Sequence, residues 1–123
     1  MAIIRFIVGK ILLFINWLTF PAKGQRAESL QRQVEKELKD MSLYQFEACP
    51  FCVKVRRALQ RLNLPVELRD AKTEPFRQQL LEGGGKVKVP CLKILENGTE
   101  RWMYESNDII SFLEKRFPLA SNP

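Results

Sequence analysis

Cys49-Pro50-Phe51-Cys52 joins two segments of different character. Residues 42–46 before it alternate in side-chain type as a β-strand does, and residues 53–62 after it carry apolar side chains at helical spacing. A thiol at the start of a helix meets unpaired backbone N–H groups and the positive end of the helix dipole, and both favour a thiolate. The motif therefore predicts a redox dithiol at a strand-to-helix turn, with Cys49 as nucleophile and Cys52 as resolving cysteine.

The composition limits the available chemistry. The chain has 123 residues, three cysteines and no histidine. An odd number of cysteines argues against a disulfide-stapled secreted scaffold, and the lack of histidine removes the commonest base and metal ligand. The net charge of +6 forms no basic stripe, so we expect no nucleic-acid partner. Attraction to anionic lipid explains the positive charge better than binding to nucleic acid does.

An apolar segment, residues 3–20, opens the chain and is interrupted by Arg5, Lys10 and Asn16. As a helix it would be about 27 Å long, close to the hydrocarbon thickness of a bilayer. We therefore predict membrane association through residues 3–20. Lys10 near the middle strains a simple span, so a helix lying in the membrane interface is an alternative. The sequence also leaves open a helix buried against the domain and a cleaved signal peptide.

The charged residues that flank this segment leave its orientation weakly determined. Arg5 and the amino terminus lie at one end of it, and Lys23 with Arg26 follow the other end, which leans slightly toward a domain facing the cytoplasm at an inner or plasma membrane. Residues 27–41 predict a short amphipathic helix, interpreted as a solvated connector, with a docking surface as the alternative. We expect a membrane-anchor helix at 1–22, a charged helical linker at 23–41, a folded domain at 42–118 and a tail at 119–123.

The remaining sequence predicts a small α/β domain with the order β-α-β-α-β-β-α. An early crossover makes the first two strands parallel, and Asn97-Gly98 marks a hairpin that adds an antiparallel edge. The run Gly83-Gly84-Gly85 predicts the end of the second helix, and Ser106 predicts the N-cap of the last. The predicted strands are 42–46, 66–69, 91–95 and 100–104, and the predicted helices are 53–62, 74–82 and 107–117.

Three motifs in this order resemble one family. The dithiol motif, then Val89-Pro90 before the third strand, then Tyr104-Glu105-Ser106-Asn107-Asp108-Ile109-Ile110 at the last helix look like a glutaredoxin-type thioredoxin fold over roughly residues 42–117. The last motif is similar to the N-terminal domain of glutathione transferases, where a Glu-Ser pair occupies the matching place. The resemblance implies a mixed four-stranded sheet flanked by helices, here preceded by a hydrophobic helix, and glutathione as co-substrate.

The resemblance also implies how glutathione is held. Val89 would contact the cysteine of glutathione through its backbone, and Pro90 would be the cis-proline that faces the dithiol. Glu105 would accept the ammonium group of the ligand, and Ser106 would hold its carboxylate at the helix N-terminus. An ordinary trans-proline and simple helix capping are the respective alternatives.

One position departs from the family pattern. Many glutaredoxins carry a lysine three residues before the nucleophile, and this chain has Phe46 there. Lys86 or Lys88, beside the Val-Pro turn, would then supply the positive charge for the thiolate and for the glycine carboxylate of glutathione.

We therefore expect a membrane-tethered glutaredoxin-like oxidoreductase that reduces glutathione mixed disulfides and the disulfides of protein partners. No metal is expected, because the dithiol plus Cys91 lacks a fourth zinc ligand; zinc and an iron–sulfur cluster stay as alternatives. Cys91 predicts a small buried strand residue rather than a third redox thiol. Two further functions remain open, a non-catalytic glutathione- or iron–sulfur-binding module of a membrane complex and an exported thioredoxin-like protein.

Overall fold

A computed structural model describes residues 2–119 of the chain. Two helices precede a β-α-β-α-β-β-α domain, as predicted, and most boundaries lie within a few residues of the predicted ones. The elements are α1 Ala2–Thr19, α2 Glu28–Leu38, β1 Met41–Gln45, α3 Pro50–Arg61, β2 Glu67–Asp70, α4 Phe76–Gly84, β3 Cys91–Glu96, β4 Thr99–Met103 and α5 Ser106–Arg116.

The four strands form one mixed sheet in the order β2-β1-β3-β4. Strand β1 is parallel to β2, and Tyr44 of β1 pairs with Cys91 of the antiparallel β3. The β3–β4 hairpin turns at Asn97 and Gly98, whose φ angles of 51° and 79° suit a type I′ turn. The predicted thioredoxin-like sheet with its antiparallel edge is confirmed.

The apolar core has one cluster on each face of the sheet. Leu43 and Leu92 belong to the larger cluster, whereas their neighbours Tyr44 and Cys91 belong to the smaller one. Successive strand residues point to opposite faces, so both faces of the two central strands are covered. The helices contribute Val55, Leu59, Ile109 and Leu113 to the larger cluster and Leu80 to the smaller one.

Helix α2 packs onto the domain. Val34 and Leu38 are buried in the larger cluster, and Arg116 of α5 donates a hydrogen bond to the Glu37 carboxylate at 2.8 Å. The interpretation of this helix as a solvated connector is therefore wrong. An apolar stripe on a charged helix is equally consistent with a connector and with a packed helix, because the stripe does not show whether another surface covers it. The segment boundaries themselves stay predictions.

Helix α1 lies along the domain, and its least exposed residues, on the side toward the domain, are Gly9, Leu12, Leu13 and Asn16. Arg57 of α3 donates hydrogen bonds to the Asn16 side-chain oxygen at 3.2 Å and to the Thr19 carbonyl at 2.9 Å. A Cβ added at Gly9 would lie 3.3 Å from the Cβ of Ala48, so the helix backbone comes close to the domain there. By length and composition α1 is also able to cross a membrane. Its outer face exposes Ile3, Phe6, Ile7, Phe14, Trp17 and Leu18.

Candidate active site

Three connecting segments meet at one edge of the sheet. Strand β1 ends where the antiparallel β3 begins, and β4, antiparallel to β3, ends at the same edge. The dithiol turn leaves β1 here, the segment containing Val89 and Pro90 enters β3, and the segment containing Glu105 leaves β4. The Val89–Pro90 peptide bond is cis. The topology thus brings the three motifs to one edge of the sheet.

The two cysteines of the dithiol differ in exposure. Cys49 is the N-cap of α3 and is half-buried, while Cys52, almost one turn later, is fully buried. The first helical hydrogen bond runs from the Val53 N–H to the Cys49 carbonyl at 2.9 Å. Pro50 fits the first helical position because the N–H that proline lacks would have no partner within the helix. The more accessible cysteine is therefore the one at the helix N-terminus.

Burial raises the pKa of the Cys52 thiol to about 12. A hydrogen bond from the Phe46 N–H to the Cys52 sulfur, at 3.4 Å, acts in the opposite direction but does not offset the loss of solvation. Burial likewise raises the pKa of Cys91 to about 12, and Cys91 is confirmed as a buried strand residue. All three cysteines are free thiols, and Cys52 and Cys91 are protonated at neutral pH.

Arg56 is a site residue that the sequence analysis missed. It donates hydrogen bonds to the Phe46 carbonyl at 3.2 Å, the Glu47 carbonyl at 2.6 Å and the side-chain oxygen of Gln45. Burial lowers the pKa of its guanidinium, and the nearby Cys52 and Glu47 oppose that shift. Arg56 follows Cys52 by four residues, so the two share a helix face, which was the available signal.

A second missed cation is Lys72. Its Nζ lies 5.3 Å from the centroid of the Phe46 ring, and it lines the same cleft as Cys49. Lys72 follows β2, which is parallel to β1, so Lys72 and the dithiol turn after β1 lie at the same edge of the sheet. This strand pairing was the available indication that Lys72 belongs to the site. Lys88 forms an ion pair with Glu105 at 3.1 Å, and Lys86 lies 4.8 Å from the centroid of the Tyr104 ring.

The start of α5 is shifted by one residue from the prediction. Glu105 is the N-cap, its carbonyl accepts a hydrogen bond from the Ile109 N–H at 3.0 Å, and Ser106 is the buried first helical residue. The prediction of Ser106 as N-cap is therefore wrong. Glu105 has φ 71° and ψ 112°, a backbone region that a residue with a side chain rarely adopts. Such strain costs about 1–3 kcal/mol and concentrates at functional sites.

A cleft of about 410 Å³ opens between α1 and the dithiol turn. Cys49 is one of the residues that line it, so the dithiol turn faces the hydrophobic helix across this cleft. Within residues 2–119, no three His, Cys, Asp or Glu side chains converge in the manner of metal ligands. The expectation of no metal stays a prediction. The cleft is lined by Ile4, Arg5, Val8, Gly9 and Leu12 of α1 and by Phe46, Ala48, Cys49, Pro50 and Lys72 of the domain.

The sequence relationships agree with this geometry. A family model of the glutathione S-transferase N-terminal domain matches residues 43–121. The chain belongs to this family. Glutaredoxin 2 of Escherichia coli K12 is 38% identical over 80 residues, which cover 61% of this chain and 33% of that protein. Prostaglandin E synthase 2 of Danio rerio is 37% identical over 87 residues, covering 71% of this chain and 22% of that protein.

This glutathione S-transferase N-terminal domain spans a third or less of the length of these two relatives. Among solved structures, glutathione transferase Omega 3C from Trametes versicolor has a TM-score of 0.55 at 24% identity, covering 83% of this chain and 43% of that one. The likeness shows the fold. The family match begins at Leu43, so α1, which forms one wall of the cleft, lies outside the matched residues.

Proposed function

We propose that this protein is a glutathione-dependent thiol-disulfide oxidoreductase that acts through Cys49 and Cys52. The observation that carries the proposal is the half-exposed Cys49 at the N-cap of an α-helix, with the buried Cys52 almost one turn behind it. The family match and the identity to a glutaredoxin support glutathione as the second reactant. Glutathione mixed disulfides are the proposed main substrates.

Reduction of a glutathione mixed disulfide needs only Cys49. Its thiolate attacks the glutathione sulfur, a Cys49–glutathione disulfide forms, and the substrate leaves as a thiolate that takes up a proton. The thiolate of a second glutathione then attacks the bound glutathione sulfur. This step releases oxidised glutathione and restores the Cys49 thiolate, so two glutathione sulfurs end in the product disulfide.

Reduction of a protein disulfide uses both cysteines. Cys49 first joins the substrate in a mixed disulfide, and Cys52 then attacks the Cys49 sulfur, which closes the internal disulfide and releases the reduced substrate. Two glutathione molecules reopen that disulfide. Cys52 must lose its proton to attack, and its raised pKa keeps the thiolate scarce at neutral pH. We therefore expect this route to be the slower one.

The proposed glutathione site uses the edge where the three motifs meet. The cysteine of glutathione would lie along the backbone of Val89, before the cis bond to Pro90. Its γ-glutamyl end would meet the Glu105 carboxylate and the backbone N–H of Ser106, at the positive end of the α5 dipole. Lys88 would hold the glycine carboxylate. The Lys88–Glu105 ion pair is more than half exposed, so exchanging it for ligand contacts costs little.

The test is turnover of a glutathionylated peptide by the full chain with glutathione as the only reductant. We expect one oxidised glutathione to form for each peptide thiol released. Glutathione binding without turnover would support the non-catalytic module instead. Reduction of a protein disulfide with no preference for glutathione would support a thioredoxin-like protein.

We further propose that α1 holds the protein on a membrane by lying in the interface, with the domain on the cytoplasmic side. Support comes from the contacts of α1 with the domain from Gly9 to Thr19 and from its exposed outer face. A spanning α1 in this docked position would carry the domain into hydrocarbon, where loops are not tolerated. A cytoplasmic location would keep the dithiol reduced.

Membrane fractions containing the full chain test this attachment. We expect the protein to remain through a high-salt wash and to be released by detergent, because apolar contacts are not screened by salt. An Ala2→Cys variant should react with a membrane-impermeant maleimide from the same side as Cys49. Release by salt alone contradicts the apolar attachment, and labelling of the introduced thiol from the opposite side contradicts the interfacial position.

A further inference from the structure

The hydrogen bonds of Arg56 lead to the resolving cysteine as well as to the dithiol turn. The Phe46 carbonyl accepts a hydrogen bond from the Arg56 guanidinium at 3.2 Å, and the Phe46 N–H donates one to the Cys52 sulfur at 3.4 Å. Arg56 follows Cys52 by four residues, so the two side chains are neighbours on one face of α3. The backbone of Phe46 therefore connects the guanidinium to the buried sulfur.

The positive charge of Arg56 is not neutralised by its contacts. Its three hydrogen-bond acceptors are uncharged, namely the carbonyl oxygens of Phe46 and Glu47 and the side-chain oxygen of Gln45. In the part of the chain that the structure describes, Arg56 forms no ion pair. Because the guanidinium is partly buried, water screens its field less than that of an exposed cation. This field acts on the sulfur of Cys52.

Ionisation of Cys52 depends on the state of Cys49. Burial raises the pKa of the Cys52 thiol to about 12, and the Phe46 N–H and the charge of Arg56 act in the opposite direction. An ionised Cys49 adds to the upward shift, because it accepts the Cys52 proton and repels a second negative charge. A mixed disulfide on Cys49 removes both of these effects and leaves the two contributions that favour the Cys52 thiolate.

Charged groups from three other segments lie around Arg56. Glu47 follows β1, Asp70 ends β2 and Lys23 follows α1, and each of them lines a cleft that Arg56 also lines. Of these four groups, Arg56 is the one that shifts the pKa of Cys52. Arg56 is thus the cation that acts on the resolving sulfur.

We propose that Arg56 is a positioning residue for the resolving step, in which it stabilises the attacking Cys52 thiolate through its charge and through the Phe46 N–H that it holds in place. This inference rests on the proposed oxidoreductase function and concerns the second displacement at the same dithiol. In that step the Cys52 thiol gives its proton to water, and its sulfur bonds to the Cys49 sulfur. The bond between Cys49 and the substrate sulfur breaks, and the substrate leaves with the electron pair as a thiolate.

The two proposed routes then respond differently to Arg56. Reduction of a protein disulfide passes through the attack by Cys52, whereas reduction of a glutathione mixed disulfide needs only Cys49. Loss of the charge at position 56 should therefore slow the first route more than the second. Lysine keeps the charge but cannot bind two carbonyls with a planar fork, so Arg56→Lys should retain much of the rate and little of the stability.

Oxidation by dithiobis(nitrobenzoate) separates the two steps in time. The reduced full chain in detergent is mixed with this aromatic disulfide in a stopped-flow instrument, and the release of thionitrobenzoate is followed by its absorbance. The first thionitrobenzoate leaves as Cys49 attacks the reagent, and the second leaves as Cys52 attacks the resulting mixed disulfide. Cys52→Ser should show the first phase alone. Cys91 is buried, so a third release marks an unfolded chain.

Three variants are compared with the unsubstituted chain. We expect Arg56→Gln to slow the second phase by roughly tenfold at neutral pH, to displace its pH profile upward and to change the first phase by no more than about threefold. Arg56→Lys should keep the second phase within about threefold of the unsubstituted rate, with a free energy of unfolding close to that of Arg56→Gln. Arg57→Gln removes the same charge from a residue that binds α1, and should leave the second phase unchanged.

Equal slowing of both phases in Arg56→Gln, or equal effects of Arg56→Gln and Arg57→Gln on the second phase, would overturn this role. A second phase slowed roughly tenfold in Arg56→Lys would overturn it without reference to Arg56→Gln, so the test does not depend on the folding of that variant.

Failure of the proposed function is visible separately, because turnover of glutathionylated peptide is measured on the same preparations. A second phase that depends on Arg56, without turnover by glutathione, contradicts the glutathione-dependent function and leaves the role of Arg56 standing. Turnover together with a second phase that is independent of Arg56 contradicts the role of Arg56 alone.

Discussion

The guanidinium of Arg56 donates a hydrogen bond to the carbonyl of Phe46 at 3.2 Å, while the N–H of Phe46 points to the sulfur of Cys52 at 3.4 Å. The residue that precedes the dithiol turn is thus held on both sides of its backbone by α3. Arg56 also binds the next carbonyl, that of Glu47, at 2.6 Å. The second turn of α3 therefore fixes the segment that leads to Cys49.

Replacing Arg56 should weaken both the fold and the reaction. Arg56→Gln removes charge-assisted hydrogen bonds to two carbonyls, so we expect the free energy of unfolding to fall by about 2 kcal/mol. Turnover of glutathionylated peptide should fall as well, because the position of Cys49 is less defined. Arg57→Gln is the matched control, since Arg57 binds α1 and not the dithiol turn. Equal effects of the two substitutions in urea unfolding and turnover would contradict this role of Arg56.

We expect Glu105 to lower the stability of the fold while it contributes to glutathione binding. Its φ of 71° favours glycine, so Glu105→Gly should leave the free energy of unfolding unchanged or raise it by up to about 1 kcal/mol. The same substitution should abolish glutathione binding, measured by calorimetry, because the ammonium of the ligand loses its carboxylate. Glu105→Gln keeps the strain and should also weaken binding. A lower free energy of unfolding in Glu105→Gly, or unchanged glutathione affinity in both variants, would contradict this role of Glu105.

Gly83 permits close packing of α4 on β4. A Cβ at this position would lie 2.0 Å from Cζ2 of Trp102, a clash that the ring cannot avoid without moving. We expect Gly83→Ala to lower the free energy of unfolding by about 1–3 kcal/mol, despite the better helix propensity of alanine. Trp102→Leu in the same chain should recover part of that loss, as read from a double-mutant cycle. Additive effects of the two substitutions on the free energy of unfolding would show that Gly83 and Trp102 are not in contact.

Alkaline pH should destabilise the fold through Cys91. Burial raises the pKa of this thiol from 9.0 to about 12, so the folded state keeps its proton when the unfolded state has lost it. The stabilisation is complete below pH 9 and is lost as the pH rises toward 12, at about 1.4 kcal/mol per unit. Cys91→Ala should show a shallower fall of unfolding free energy above pH 9 than the unsubstituted chain, measured in detergent by urea titration. If the unfolding free energies of the two proteins fell in parallel above this pH, Cys91 would not contribute to the loss of stability.

The sheet and the positions of the motifs at the ends of its strands could be predicted, because each of these features depends on residues that are close in the sequence. Asn97-Gly98 takes the positive φ angles of a type I′ turn, and Cys49 lies at a helix N-terminus, as the flanking patterns indicated. The residues that the sequence missed depend on contacts between distant segments. Lys72 reaches the cleft because β2 lies parallel to β1, and this requires the strand pairing to be known first.

The glycine run shows the same limit. Gly85, with φ 90°, does end α4 as predicted, but Gly83 and Gly84 lie within the helix and make room for Trp102 and Tyr104. A glycine needed for its conformation and a glycine needed for close approach look alike in a sequence. The apolar segment was also recognised as a helix, yet its sequence did not reveal that the domain contacts Gly9 and Asn16.

The most direct test of the central claim is the comparison of Cys49→Ser with Cys52→Ser on two substrates, a glutathionylated peptide and a protein disulfide. We expect Cys49→Ser to lose turnover of both substrates. Cys52→Ser should keep turnover of the peptide, accumulate a glutathione adduct on Cys49 that is visible by mass spectrometry, and lose turnover of the protein disulfide. Activity that survives without Cys49, or equal loss of peptide turnover in the two variants, would contradict the assignment of the nucleophile.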